Sequence, residues 1–202
     1  MPFRSSAKLL NLLIAIAETV CLVAMVYRGN WGSLAMYTVL SNYLGLIASV
    51  VYLVRPSGVA ARFLRYMATV CLTVTFLVVV CVFLPMYGRD GNLSEGVSAM
   101  LLKGNMPVHH LICPILSFVS FVFFEQGHLT LRDSLWAALP TLLYAIVTAI
   151  LNILRVIEGP YPFLLVYEQP WYVSVMWFFL IPGGAWVVAL LLKKCKNRVE
   201  KS

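Results

Sequence analysis

Residues 66–88, YMATVCLTVTFLVVVCVFLPMYG, run without one charged side chain, and the reading of this stretch decides the fold class. A run of about 20 apolar residues matches the hydrocarbon core of a bilayer. An amphipathic helix of a soluble domain would instead return a polar residue at every turn. Five further apolar runs, three of them with one or two charged residues, lie on either side of it, at residues 8–27, 34–54, 107–125, 134–156 and 172–192. The composition agrees, since a chain that is 61% hydrophobic and 11% charged has too little polar surface to cover a soluble domain. The runs are continuous rather than alternating, and lipid offers a backbone amide no partner outside its own helix. The expected fold is therefore all-α, a polytopic six-transmembrane-helix bundle forming a single domain over residues 1–202.

The net charge of +7 points away from nucleic acid, because the basic residues flank the apolar runs and form no patch of their own. Arg4, Lys8, Arg55, Arg62, Arg65, Arg132 and the cations from Lys193 onward fall on one side of the expected bundle. Arg28, Arg89, Lys103 and Arg155 fall on the other. Under the positive-inside rule both termini are expected in the cytoplasm of a cell-membrane protein, with residues 89–106 outside. The first run follows Arg4 and Lys8 like a signal peptide, with Ser33-Leu34-Ala35 as a cleavage-like triplet. It is expected to be retained, being longer than a signal core and carrying Glu18.

Cys21, Cys71, Cys81, Cys113 and Cys195 show neither a disulfide framework nor metal-ligand spacing, so no metal and no cofactor is expected. Residues 89–106 form a short amphipathic stretch, read as a surface connector in preference to a lid. Residues 159–171 hold Pro160, Pro162 and Pro170 and break the helix before the last run, in which Pro182-Gly183-Gly184 is placed to kink or open the helix.

Polar residues at helical spacing mark the faces that avoid lipid. They are Asn11, Ala15, Glu18 and Cys21 in the first run, and Thr38, Ser41, Asn42, Gly45 and Ser49 in the second. The fourth run offers His109 or His110, then Cys113, Ser117 and Ser120; the fifth offers Thr141, Tyr144, Thr148, Asn152 and Arg155. At about 1.5 Å per residue, Thr38 and His110 each lie roughly 5–6 Å inside their runs from the same face. Arg155 and the loop holding Tyr161 come to that level from the other direction. A hydroxyl beside an imidazole can attack an ester carbonyl, with Asn42 or Arg155 to stabilise the oxyanion. Glu18, about 15 Å from Lys8, sits near the midplane, where it is expected to be neutral or hydrogen-bonded, with Asn42 as a candidate partner.

Three short segments carry a family resemblance: Tyr37-Thr38-Val39-Leu40-Ser41-Asn42, His110 four residues before Pro114, and Tyr161-Pro162-Phe163-Leu164. In order and spacing the chain resembles the androgen-induced membrane hydrolase superfamily, especially its bacterial six-helix relatives. Vertebrate members are threonine hydrolases of fatty acid esters of hydroxy fatty acids. The resemblance implies a membrane-embedded lipid-ester hydrolase with Thr38 as nucleophile and His110 as base, His109 being the alternative match, and a lipid ester as its partner molecule. Ser41, Asn42, Arg155 and Tyr161 would line or support the site. Two other classes remain open: a small-solute or proton transporter centred on Glu18 and the Pro-Gly-Gly segment, and a noncatalytic scaffold. Oligomeric state is not legible in the sequence.

Overall fold

The structure, a computed structural model, describes the backbone of residues 2–201 and the side chains of 5–201. Arg4, counted among the cytoplasmic cations, has its side chain outside the described residues. All regular structure among them is helical, with no strand. The helices are α1 (Pro2–Tyr27), α2 (Tyr37–Val54), α3 (Val59–Arg89), α4 (Leu93–Leu102), α5 (Val108–Phe124), α6 (Leu131–Ile153) and α7 (Trp171–Val199). Five of them, α1, α2, α3, α6 and α7, are long and apolar enough to cross a membrane. This is compatible with a multi-pass membrane protein. The fourth expected run appears as α5, which at 1.5 Å per residue is about 25 Å long, against a hydrocarbon core of about 30 Å.

α3 is the hub, packing against α2, α5, α6 and α7, while α1 packs on α2 and α5. The main core joins Tyr66, Val70 and Val74 of α3 to Phe121, Ala137, Ala185 and Ala189. Small residues there let the backbones approach closely. The start of α6 is fixed by a capping box: the Thr130 hydroxyl accepts from the Asp133 N–H while the Asp133 carboxylate accepts from the Thr130 N–H.

Two turns widen to π-helix just before a proline, residues 79–83 before Pro85 and 108–112 before Pro114. A proline ring clashes with the carbonyl four residues back, and the wider turn relieves the conflict. Two more π stretches close α4 (98–102) and α5 (120–124). The segment Pro182-Gly183-Gly184, by contrast, lies within one uninterrupted helix, and a Cβ at either glycine would meet open space. Neighbouring turns carry α7 through the proline without a break.

Candidate functional site

Thr38 lies on the first turn of α2, where backbone N–H groups have no partner within the helix. One of them finds a partner across the chain: the Thr38 N–H donates to the Tyr161 hydroxyl at 3.1 Å, and the Thr38 Oγ1 is 3.3 Å from the same oxygen. Tyr161 arrives from the proline-rich stretch 159–171, where a short 3-10 turn (Pro162–Leu164) stacks Phe163 between Tyr161 and Trp177. Burial pushes the Tyr161 phenol above its ordinary range, the Thr38 hydrogen bonds acting the other way. The hydroxyl therefore stays protonated, a donor, at neutral pH.

Thr38 and Tyr161 line a cavity of ≈ 380 Å³ together with His109, His110, Met100, Phe83 and Tyr87. Every π stretch except 120–124 contributes to its wall: Phe83 from 79–83, Met100 from 98–102, the two histidines from 108–112. Such turns recur at functional sites because they displace side chains from the regular helical face. Thr38, Phe83 and Tyr161 also border a second, narrow cleft of ≈ 40 Å³, lined by Val74, Val78, Trp177 and Ile181 and almost wholly apolar. Thr38 thus sits where a roomier cavity meets an apolar slot.

The histidines have different surroundings. His110 Nδ1 is 2.6 Å from the Met100 carbonyl oxygen. A carbonyl only accepts, so Nδ1 carries the proton and Nε2 keeps its lone pair. His109 instead directs Nε2 to within 3.3 Å of Glu18 Oε2. α4, expected as a surface connector, consequently forms part of the site. It lies close because Gly96 has no side chain; a Cβ there would stand 2.6 Å from the Tyr87 ring.

Other expected site residues are placed differently. Asn42 is buried, but its amide donates to the carbonyls of Thr38 (2.7 Å) and His109 (3.2 Å), which commits both of its donors to positioning. Ser41 is tied to the Thr38 carbonyl and to Thr75. Arg155 does not reach the cavity. It adopts a left-handed conformation (φ 57°) as α6 ends in a Schellman-type turn, with the Val156 N–H donating to the Leu151 carbonyl. That turn throws its side chain outward over the Tyr167 ring, 4.5 Å from the centroid. Glu18 is fully buried, but Asn42 is not its partner; its polar neighbours include His109 Nε2 and the Cys113 thiol.

A second polar cluster, at the other end of α5, went unread in the sequence. Arg65, assigned there to a cytoplasmic segment, is wholly buried and pairs with Glu125 at 2.9 Å. Its guanidinium also donates to Ser49 Oγ and the Ser117 carbonyl, while Asn11 and Ser120 donate to Glu125. Lys196 caps the cluster from α7, donating to the carbonyls of Phe121 and Glu125.

No family model, curated protein or solved structure matches this chain.

Proposed function

We propose that the chain is a six-span membrane hydrolase of long-chain lipid esters, with Thr38 as nucleophile and His110 as general base. The observation that carries this reading is the shared cavity of Thr38, Tyr161 and His110, in which the Met100 carbonyl leaves His110 Nε2 free to take a proton. The resemblance of residues 37–42, His110 and residues 161–164 to the androgen-induced membrane hydrolases supports the same assignment. As Thr38 Oγ1 attacks the ester carbonyl carbon, His110 Nε2 takes the hydroxyl proton. The Tyr161 hydroxyl donates to the developing oxyanion, and the dipole of α2, whose positive end lies at Thr38, adds to that stabilisation. His110 returns the proton to the departing alkoxide, which leaves as the alcohol. Water, deprotonated by the same imidazole, then attacks the acyl-threonine, releasing the fatty acid and restoring the threonine hydroxyl. The mainly apolar cavity of ≈ 380 Å³ beside Thr38 is of the size that ligand sites have and suits part of an acyl chain.

The deciding experiment is hydrolysis of a long-chain ester by purified protein in detergent. Wild type is expected to turn over and Thr38→Ala is not; an inactive wild type, or a fully active Thr38→Ala, overturns the assignment. Tyr161→Phe is expected to lower kcat on the order of 10²-fold, as for loss of one oxyanion donor. An unchanged kcat would remove Tyr161 from that role.

The sixth crossing is α5. It meets α1 in antiparallel register, with Ser120 bonded to Asn11 near the start of α1 and His109 beside Glu18 further along it. Both termini then lie on one side, which the distribution of Lys and Arg makes cytoplasmic in a cell-membrane protein. A cysteine introduced at Asn92 is expected to react with an impermeant reagent on intact cells. Native Cys195 is expected to react only after permeabilisation, and the reverse pattern would invert this topology.

The Glu18–His109 pair favours a second reading, proton or solute transport. Flux into proteoliposomes that is lost in Glu18→Gln while Thr38→Ala retains it would select that reading.

A further inference from the structure

Glu18 and Cys21 stand three residues apart on α1 and share its inner face, and His109 faces them from the first π turn of α5. All three are buried, and their carboxylate oxygen, thiol sulfur and imidazole nitrogen lie within 4.8 Å of one another. Glu18 Oε2 and His109 Nε2 stand 3.3 Å apart as an ion-pair contact without hydrogen-bond geometry, and Glu18 Oε1 is likewise without a well-formed hydrogen bond. Buried polar atoms are rarely left without well-formed hydrogen bonds, because one ill-aligned contact repays only part of their lost hydration. Cys113, also buried, lies one turn beyond His109, with its thiol beside the Glu18 carboxyl.

We propose that Glu18, Cys21 and His109 form a binding site for a divalent transition-metal ion of the zinc class, with Cys113 in reach of a fourth position. Oxygen, sulfur and nitrogen donors of these types are the ligands zinc takes, while a thiol and an imidazole disfavour calcium and magnesium. Charge supports the same choice. With Glu18 and Cys21 ionised and Cys113 kept protonated, the two anions balance a divalent ion, so the loaded site is neutral inside a low-dielectric bundle where an unpaired charge is costly. Donor atoms around a tetrahedral ion stand roughly 3.3–3.8 Å apart, given bonds of about 2.0–2.3 Å. The backbone behind the imidazole is already held, since the Asn42 amide donates to the His109 carbonyl. No step of the ester chemistry at Thr38 is required for this site.

The test uses the full chain in detergent, stripped with a chelator and titrated with Co²⁺ as the spectroscopic probe. About one Co²⁺ per chain is expected, with a thiolate-to-cobalt charge-transfer band. Cys21→Ser should remove or strongly weaken that band, and Glu18→Gln and His109→Gln should each weaken binding at least tenfold. Cys81→Ala and Cys195→Ser, at exposed thiols, should bind as wild type does. Thr38→Ala should also bind normally, which separates this site from the hydrolase assignment. Wild type that binds no Co²⁺, or that keeps its affinity in the Glu18→Gln/Cys21→Ser/His109→Gln variant, overturns the proposal. The wild-type titration and the near-isosteric Cys21→Ser decide the matter even if Glu18→Gln fails to fold.

Discussion

His110→Ala is expected to lower kcat for ester hydrolysis about 10²–10⁴-fold, the usual contribution of a positioned general base, with yield and monodispersity unchanged. The expectation rests on a tautomer: the Met100 carbonyl, 2.6 Å from Nδ1, directs the lone pair of His110 to Nε2. Nucleophile and base act as one unit, so Thr38→Ala/His110→Ala should be scarcely slower than either single variant. Thr38→Ser keeps a hydroxyl on the first turn of α2 and should retain part of the rate. His109→Ala is the comparison, because that ring turns toward Glu18. Loss of hydrolysis in His109→Ala with full activity in His110→Ala would assign the base to His109.

The second large effect is expected in stability. Glu125→Leu leaves the Arg65 guanidinium wholly buried without its carboxylate, and breaking such a pair on one side costs about 3–5 kcal/mol. Unfolding in mixed micelles should show a loss of this size. Arg65→Met/Glu125→Leu removes both charges together and should recover most of it, because two apolar side chains of similar volume leave no uncompensated charge. Equal losses in the single and double variants would mean that the pair is held for its shape rather than its charge.

Much of this architecture is legible in hydropathy, because lipid penalises polar atoms strongly enough for helices to stand out as uninterrupted runs. The polar faces are legible for the same reason: Asn11, Glu18 and Cys21, like Cys113, Ser117 and Ser120, recur at helical spacing and are all buried. What escaped were contacts without a sequence period. Arg65 looked like a loop cation because the apolar run begins at Tyr66, but α3 reaches back to Val59 and carries Arg65 into the bundle. The partner of His110 is a backbone carbonyl, which no residue type announces. Arg155 was assigned to a helical face on the assumption that α6 continued, whereas a left-handed turn ends it first. The grouping of Glu18 and Cys21 with His109 joins two helices, so spacing along one strand of sequence could not display it.

The widened turns of α5 have a consequence for its angular phase. Each π turn takes in one residue more than the α-helical repeat, so everything downstream is rotated relative to what precedes it. With turns of this kind at both ends, α5 sets the azimuth of the histidines independently of that of Ser117, which donates to Thr69, and of Ser120, which meets Asn11. Deleting a single residue within 108–112 would close the widened turn to ordinary α-helix and shift the histidines around the axis relative to the rest of the helix. It would also bring the Pro114 ring back against the carbonyl four positions earlier. The two ends of this one helix are tuned like separate hands on a shared shaft, and a one-residue slip would put one polar cluster out of true with the other.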